Sequence, residues 1–386
     1  MRIFVSAGEP SGDLHGSNLV RALQKSDTGV ECVGFGGERM TAAGCKLLYP
    51  LSQHAVTGFV PVLVEAGRFL RLLKQADQYF QNNRPDAVVL IDYPGFHWWL
   101  ARSAHKRGIP VYYFVPPQIW AWASWRVKKM RRFVDHVLCS LPFEESWYHQ
   151  RDVAAQYVGH PYFDELPGQQ LDAAFVRQQE AKGGTVIGLL PGSRNQELAA
   201  NLPTLLGAAR QIHAQRPETR FVVACFKAAH RERVEQALQA EPMPYVEACV
   251  GRTPEIISAA KLCVAVSGSV SLELLYRAKP SVIVYRAPAF LLFLSRFMKT
   301  CRFMSLPNLL ANEELYPEFL SARCEADGVS RRVLDWLDQP AALERLRTRL
   351  EQLRSETARP GACERSARFV IEHVRNRQAT PASHAA

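Results

Sequence analysis

Several apolar runs in this chain stop abruptly at glycine, proline and a polar side chain, and each stop offers a particular chemistry. The run Ile187–Leu190 breaks at Pro191-Gly192-Ser193-Arg194, after which Asn195-Gln196-Glu197-Leu198 opens a helical pattern. A strand, a tight turn and a helix start leave backbone N–H groups unpaired at the positive end of the helix. With the Arg194 guanidinium beside them, these groups suit a phosphate. The same residues also read as a helix cap at Ser193 with Arg194 on a surface carboxylate. A second run ends in Ser267-Gly268-Ser269-Val270-Ser271-Leu272-Glu273. Its hydroxyls and N–H groups suit a diphosphate and Glu273 a ribose diol, unless Ser269 and Glu273 serve only as a helix cap.

Ile91-Asp92-Tyr93-Pro94-Gly95-Phe96 closes an apolar strand on a carboxylate. A strand-end carboxylate is well placed as a general base, although aspartate is also a common helix cap. In Ala7–Asp13, Gly8 and Gly12 allow close backbone approach, while Glu9, Ser11 and Asp13 could bind hydroxyls; the alternative is a turn capped by Asp13. Phe114–Trp125 sets Trp120, Trp122 and Trp125 beside Arg126, Lys128, Lys129, Arg131 and Arg132. Such a stretch could stack on sugar, hold an anionic headgroup or lie at a membrane interface, or be a buried Trp cluster next to a solvated helix face. His97, His105, His136, His160 and His213 are too dispersed to argue for a site, and no cluster has metal-ligand spacing. Neither a metal ion nor a cofactor is expected, and no G-x-x-x-x-G-K-[ST] or G-x-S-x-G element points to an NTPase or an α/β-hydrolase.

These loops need strands to hold them. Strands are expected at Arg2–Ala7, Cys32–Phe35, Ala87–Ile91, Val111–Val115, His136–Cys139 and Gln156–Val158, with helical segments such as Val64–Asn82 and Pro142–Gln150 between them. The alternation restarts with strands at Val186–Leu190, Phe221–Ala224, Val246–Val250, Leu262–Val266 and Val282–Val284. The fold class is therefore α/β, with two doubly wound, Rossmann-like domains facing a cleft, whose ligands sit at the carboxyl ends of the strands. Residues 1–165 form the first domain and 183–328 the second. The apolar stripe from Gly328 to Arg377 predicts helices over 329–378, packed on the N-terminal domain or on a partner subunit, so a homodimer through them is an expectation. Residues 379–386 read as a disordered tail.

The 386-residue chain, 47% hydrophobic and 22% charged, has the composition of a globular protein with room for two cores. Its 47 basic against 37 acidic side chains give +10, which favours an anionic partner. No RNA-binding fingerprint accompanies the charge, so no nucleic-acid partner is expected. Nine cysteines without a C-x-x-C pair suggest reduced thiols and a cytoplasmic setting. No signal peptide or membrane span is expected. Ala55–Val64 running into Arg68, Arg71 and Lys74, and Phe290–Met298 bracketed by Arg286, Arg296, Lys299 and Arg302, read as surfaces for acyl chains or an anionic bilayer. Core burial is the other reading.

From Arg2 to about Leu320 the chain resembles the lipid-A-disaccharide synthase family, glycosyltransferase family 19, of GT-B fold. The resemblance rests on Ser6-Ala-Gly-Glu-Pro-Ser-Gly-Asp13, Gly34-Phe-Gly-Gly37, Ile91–Phe96, Pro117-Gln-Ile-Trp-Ala-Trp122, Leu190–Arg194, Ser267–Glu273 and Ser305-Leu-Pro-Asn308. It implies an inverting transferase that joins UDP-2,3-diacylglucosamine to 2,3-diacylglucosamine 1-phosphate, releases UDP and works peripherally on the inner face of the inner membrane. It implies Asp92 as base, and Arg194, Glu273 and Asn308 in the UDP site with Gly192, Ser193, Ser267, Gly268, Ser269 and Ser271. Glu9, Ser11, Gly12, Asp13, Trp120, Trp122 and Arg126 would serve the acceptor or first loop. Two positions depart from the family's habit: His97 stands where Asn is frequent, and Thr57 where Met is. Other readings remain at this point: a UDP-sugar 2-epimerase, a transferase with a soluble acceptor, or a basic scaffold without catalysis.

Overall fold

The computed structural model describes residues 1–54, 62–290, 292–293 and 301–379, and side chains at all of these but 53–54 and 62–66. The chain divides into two compact units, Met1–Asp164 with Arg359–Ala386, and Glu165–Ala358.

The first unit is built on a seven-stranded sheet of β1 (Arg2–Ala7), β2 (Glu31–Phe35), β3 (Lys46–Tyr49), β4 (Ala87–Ile91), β5 (Val111–Phe114), β6 (His136–Cys139) and β7 (Ala155–Tyr157). Its order is β3-β2-β1-β4-β5-β6-β7, with every pair parallel. A parallel sheet is covered on both faces, which is why β4, Ala-Val-Val-Leu-Ile, is apolar at every position and buried throughout. Phe4, Val88 and Leu90 point into one core with Phe35 and Phe80, while Ile3, Val5, Val89 and Ile91 point into the other with Leu19 and Leu23.

The second unit repeats the plan with six strands: β8 (Thr185–Leu190), β9 (Thr219–Cys225), β10 (Val246–Val250), β11 (Leu262–Val266), β12 (Ser281–Arg286) and β13 (Glu318–Ser321), in the order β10-β9-β8-β11-β12-β13. In each sheet the winding reverses once, between β1 and β4 and between β8 and β11. The crevice outside the carboxyl ends at such a reversal is where doubly wound sheets hold ligands. The edge strands β3 and β13 escape the sequence pattern because their residues are mostly half-buried and too few to show an apolar run.

The C-terminal helices divide differently from the expected single segment over 329–378. Ala326–Asp338 and Pro340–Thr357 belong to the second unit, where Val329, Val333, Leu334 and Leu343 join its core. Ala362–Ala379 returns to the first unit, burying Ala367, Val370 and Ile371. The apolar stripe that suggested self-association is thus covered by the chain's own cores. Asp164 fixes the return: its carboxylate accepts the N–H groups of Gly361, Ala362 and Cys363 at 2.7, 3.0 and 2.8 Å, capping a helix almost 200 residues further on. The expected tail falls, apart from Ala379, outside the described residues.

Candidate active site

At the first reversal β4 ends on Ile91, and the next two residues, Asp92 and Tyr93, both sit at φ 50°, in the left-handed region. Neither is glycine, so each costs on the order of 1–3 kcal/mol that surrounding contacts must offset. Those contacts converge on the Asp92 carbonyl, which accepts Tyr113 Oη–H and His97 Nδ1–H, both at 2.7 Å. The Tyr93 ring lies against Gly8, where a Cβ would come within 2.2 Å of it. Pro94 then opens the helix Pro94–His105. Asp92, half-buried, stands at the carboxyl edge of the sheet, next to the last paired residue of β4 and beside the end of β1. His97, set aside in the sequence as one of several dispersed histidines, is fully buried in this turn, and burial lowers its pKa to about 4. Its signal in sequence was its place one helical turn past a Pro that follows a strand-end carboxylate.

The loop after β1 leads into the helix Pro10–Ser26, with Glu9 in the N-cap position and Ser11 exposed in the first turn. Gly12 is close to the Ala7 Cβ, 3.4 Å from where its own would be. Asp13 is engaged within the fold. Its buried carboxylate accepts the N–H groups of Gly37, Arg39 and Met40 at 2.7, 3.1 and 3.2 Å, and so caps the short helix Glu38–Ala42. It is a helix cap, as one reading allowed, but for a neighbouring helix.

Trp120 also turns away from solvent. It is 6% exposed, meets Phe143 edge-on and donates its indole N–H to Glu144 at 2.9 Å. Glu144, fully buried, also accepts the N–H groups of Ser140 and Leu141, and burial pushes its pKa up to about 7 against these donors. Stacking on sugar is therefore open to Trp122, half-buried, and Trp125, 57% exposed, with Arg126 exposed beside them, and closed to Trp120.

At the second reversal β8 ends at Leu190, and Gly192 takes φ 95° in the following turn, where a Cβ would strike the Glu197 carboxylate at 2.5 Å. The helix starts at Asn195, later than a Ser193 cap would place it. Glu197 accepts the Arg194 N–H at 3.2 Å and its guanidinium at 2.9 Å. Ser193 and Arg194 stay exposed at the positive end of this helix, Asn195–Gln215. After β11, Gly268 and Ser269 are exposed, Gly268 beside open space, and Ser269 makes no cap bond. Ser267 donates its N–H to the Val284 carbonyl at 3.3 Å. Ser271 is buried and its hydroxyl closes the turn onto the Gly268 carbonyl at 2.8 Å. Glu273, 3% exposed, receives both Nε and Nη2 of Arg277 at 3.1 Å on one oxygen.

Asn308 departs furthest from the expected ligand contact. It is fully buried, its amide donates to the Tyr316 carbonyl and Glu318 Oε1 at 2.7 and 2.9 Å, and its oxygen accepts the N–H groups of Leu315 and Tyr316 at 2.9 and 2.8 Å. Every polar position of the side chain is used, tying the helix Leu306–Ala311 to the segment before β13 and to Glu318 of β13 itself. Among the described residues no group of three or more His, Cys, Asp or Glu could hold a metal ion. Of the two apolar stretches, residues 55–61, Thr57 included, and 294–300 lie outside the described residues, while Leu70, Phe290 and Phe293 are exposed.

The family model described as lipid-A-disaccharide synthetase matches residues 3–372. The chain belongs to this family. Among its relatives, the lipid-A-disaccharide synthase of Alcanivorax borkumensis is 35% identical over 95% of this chain and 96% of its own length, and that of Myxococcus xanthus 34% identical over 96% and 97%. The enzyme is therefore a hexosyltransferase that forms the lipid A disaccharide. Similar solved structures share the two-domain α/β fold at far lower identity. The putative UDP-N-acetylglucosamine 2-epimerase of Listeria monocytogenes aligns with a TM-score of 0.67 at 12% identity, covering 98% of this chain and 96% of that one. The UDP-GlcNAc 2-epimerase of Neisseria meningitidis, bound to UDP-GlcNAc, aligns at 0.65 and 10%, covering 97% and 100%. That likeness carries the fold alone, and the epimerase reading of the lipid-A-disaccharide synthetase family member is not favoured.

Proposed function

We propose that the enzyme transfers a 2,3-diacylglucosaminyl group, with inversion, from UDP to the 6-hydroxyl of 2,3-diacylglucosamine 1-phosphate. Asp92 takes the proton of the acceptor hydroxyl, whose oxygen attacks the anomeric carbon as the bond to UDP breaks. UDP leaves with the electron pair, and its charge is met by Arg194 and the N–H groups opening the helix Asn195–Gln215. The observation that carries the reading is Asp92 itself, held on a left-handed turn at the first sheet's reversal by two hydrogen bonds to its carbonyl. Gly192, half-buried, and the exposed Ser193, Gly268 and Ser269 supply backbone around the diphosphate, and Glu9, Ser11, Trp122 and Arg126 serve the acceptor. These groups neutralise UDP without a metal ion, so EDTA leaves turnover intact.

Exposed Leu70, Trp99 and Trp125, among basic side chains, support a peripheral seat on the anionic inner face of the inner membrane. Among the described residues no helix is long and apolar enough to cross a bilayer.

Incubation with UDP-diacylglucosamine and the diacylated 1-phosphate tests the reading. Release of UDP with disaccharide formation, slowed by about a hundredfold or more in Asp92→Asn, supports it; near-normal turnover of Asp92→Asn overturns the base assignment. Equal turnover of an unacylated acceptor would favour the soluble-acceptor reading instead.

A further inference from the structure

We infer that His97 is the positioning residue for the Asp92 carboxylate, acting by bridging the Ser6 hydroxyl to the Asp92 carbonyl oxygen. The inference rests on Asp92 being the base. His97 Nδ1 lies 2.7 Å from that carbonyl and Nε2 lies 2.9 Å from Ser6 Oγ. A carbonyl only accepts, so Nδ1 carries the proton, and Nε2 accepts from the hydroxyl. Both partners are thereby satisfied in a fully buried site, and burial keeps the ring neutral.

The bridge matters because of what it joins. Ser6 belongs to β1, one residue before the strand's end and opposite Leu90 of β4, so the far anchor is sheet, not loop. The near anchor is the peptide between two left-handed residues. Rotation of that peptide changes ψ of Asp92 and φ of Tyr93 and undoes the turn on which Asp92 stands, and the hydrogen bonds from His97 and Tyr113 to its carbonyl oppose it. Tyr113 reaches the carbonyl from β5, and His97 alone of the pair ties it to β1. An asparagine at this position places its Nδ2 close to where His97 Nδ1 stands, which reaches the carbonyl but falls short of Ser6.

The test is steady-state kinetics of the full chain with both diacylated substrates. His97→Phe lowers kcat by about tenfold or more with the KM of either substrate little changed, and His97→Asn, which keeps the bond to the carbonyl and loses the one to Ser6, recovers part of kcat. Ser6→Ala lowers kcat in the native background and has no effect in His97→Asn. In an Asp92→Asn background, His97→Phe does not lower the residual turnover further, whereas loss of folded enzyme would lower it equally in both backgrounds. If His97→Phe does not fold, the Ser6→Ala pair decides. Unchanged kcat in His97→Phe, no recovery in His97→Asn, or equal effects in both Asp92 backgrounds overturn the inference while leaving Asp92 as base. Active Asp92→Asn overturns both.

Discussion

The carboxylate of Asp13 accepts the backbone N–H of Gly37 at 2.7 Å, joining the first helix of the chain to the start of the second. With Arg39 and Met40 on the same carboxylate, Asp13 is a buried anchor. Asp13→Ala strands those donors, and the unfolding free energy in urea should fall by about 3 kcal/mol. The acceptor KM should stay within about twofold at low temperature, a shift well under 1 kcal/mol. A raised acceptor KM at undiminished stability would return Asp13 to the ligand site.

Asn308 invites the same distinction in the second unit. Asn308→Asp sets a second carboxylate where the amide now meets Glu318 Oε1 at 2.9 Å. It should therefore destabilise at least as much as Asn308→Ala, by roughly 2–4 kcal/mol. Thermal unfolding of both variants at pH 7 checks this. A donor-KM effect without loss of stability would show that Asn308 touches UDP.

Arg194 should behave in the opposite way. Its pair with Glu197 is on the surface, with Arg194 49% exposed, so Arg194→Met should cost no more than about 1 kcal/mol of stability. The donor KM and the inhibition constant of UDP should each rise by about tenfold or more, the worth of a charge-assisted contact to phosphate. Unchanged UDP inhibition would remove Arg194 from the diphosphate site.

Acid should loosen the first unit. Burial lowers the pKa of His15 and His97 to about 4 and of His160 to about 3, from 6.5. Below pH 6.5 the unfolded chain binds protons that the folded chain refuses. Their neutral burial is fully tolerated above pH 6.5, and stability falls as pH drops toward 4, by about 1.4 kcal/mol per pH unit for each group. Glu144, raised from 4.5 to about 7, works in the other direction: its folded form binds a proton between these values and offsets one histidine. Urea unfolding at pH 7, 6 and 5 should show the decline, and His160→Asn, whose oxygen can take the Tyr162 N–H now held by Nδ1, should flatten it. An equal slope in the variant would rule His160 out as a cause.

The sequence by itself determined the strands and the loops that end them. An apolar run buried on both faces, broken by glycine or proline, needs no distant contact to be read, and β1, β4, β8 and β11 with their loops follow directly. It also determined the family, since motifs such as Ser6–Asp13 and Leu190–Arg194 are contiguous in the chain. Only the tertiary structure decided which polar side chains are engaged by the fold itself. Asp13 and Asp164 cap helices far from them in sequence, Trp120 is held by Glu144, and Asn308 is saturated by Leu315, Tyr316 and Glu318. The physical reason is that a carboxylate or amide beside a turn satisfies its hydrogen bonds with whichever donors the fold brings near, and sequence spacing records only local ones. His97 shows the converse. A histidine bonded to the Asp92 carbonyl in its own turn gained a second partner, Ser6 of β1, once β1 and β4 paired at the sheet's reversal.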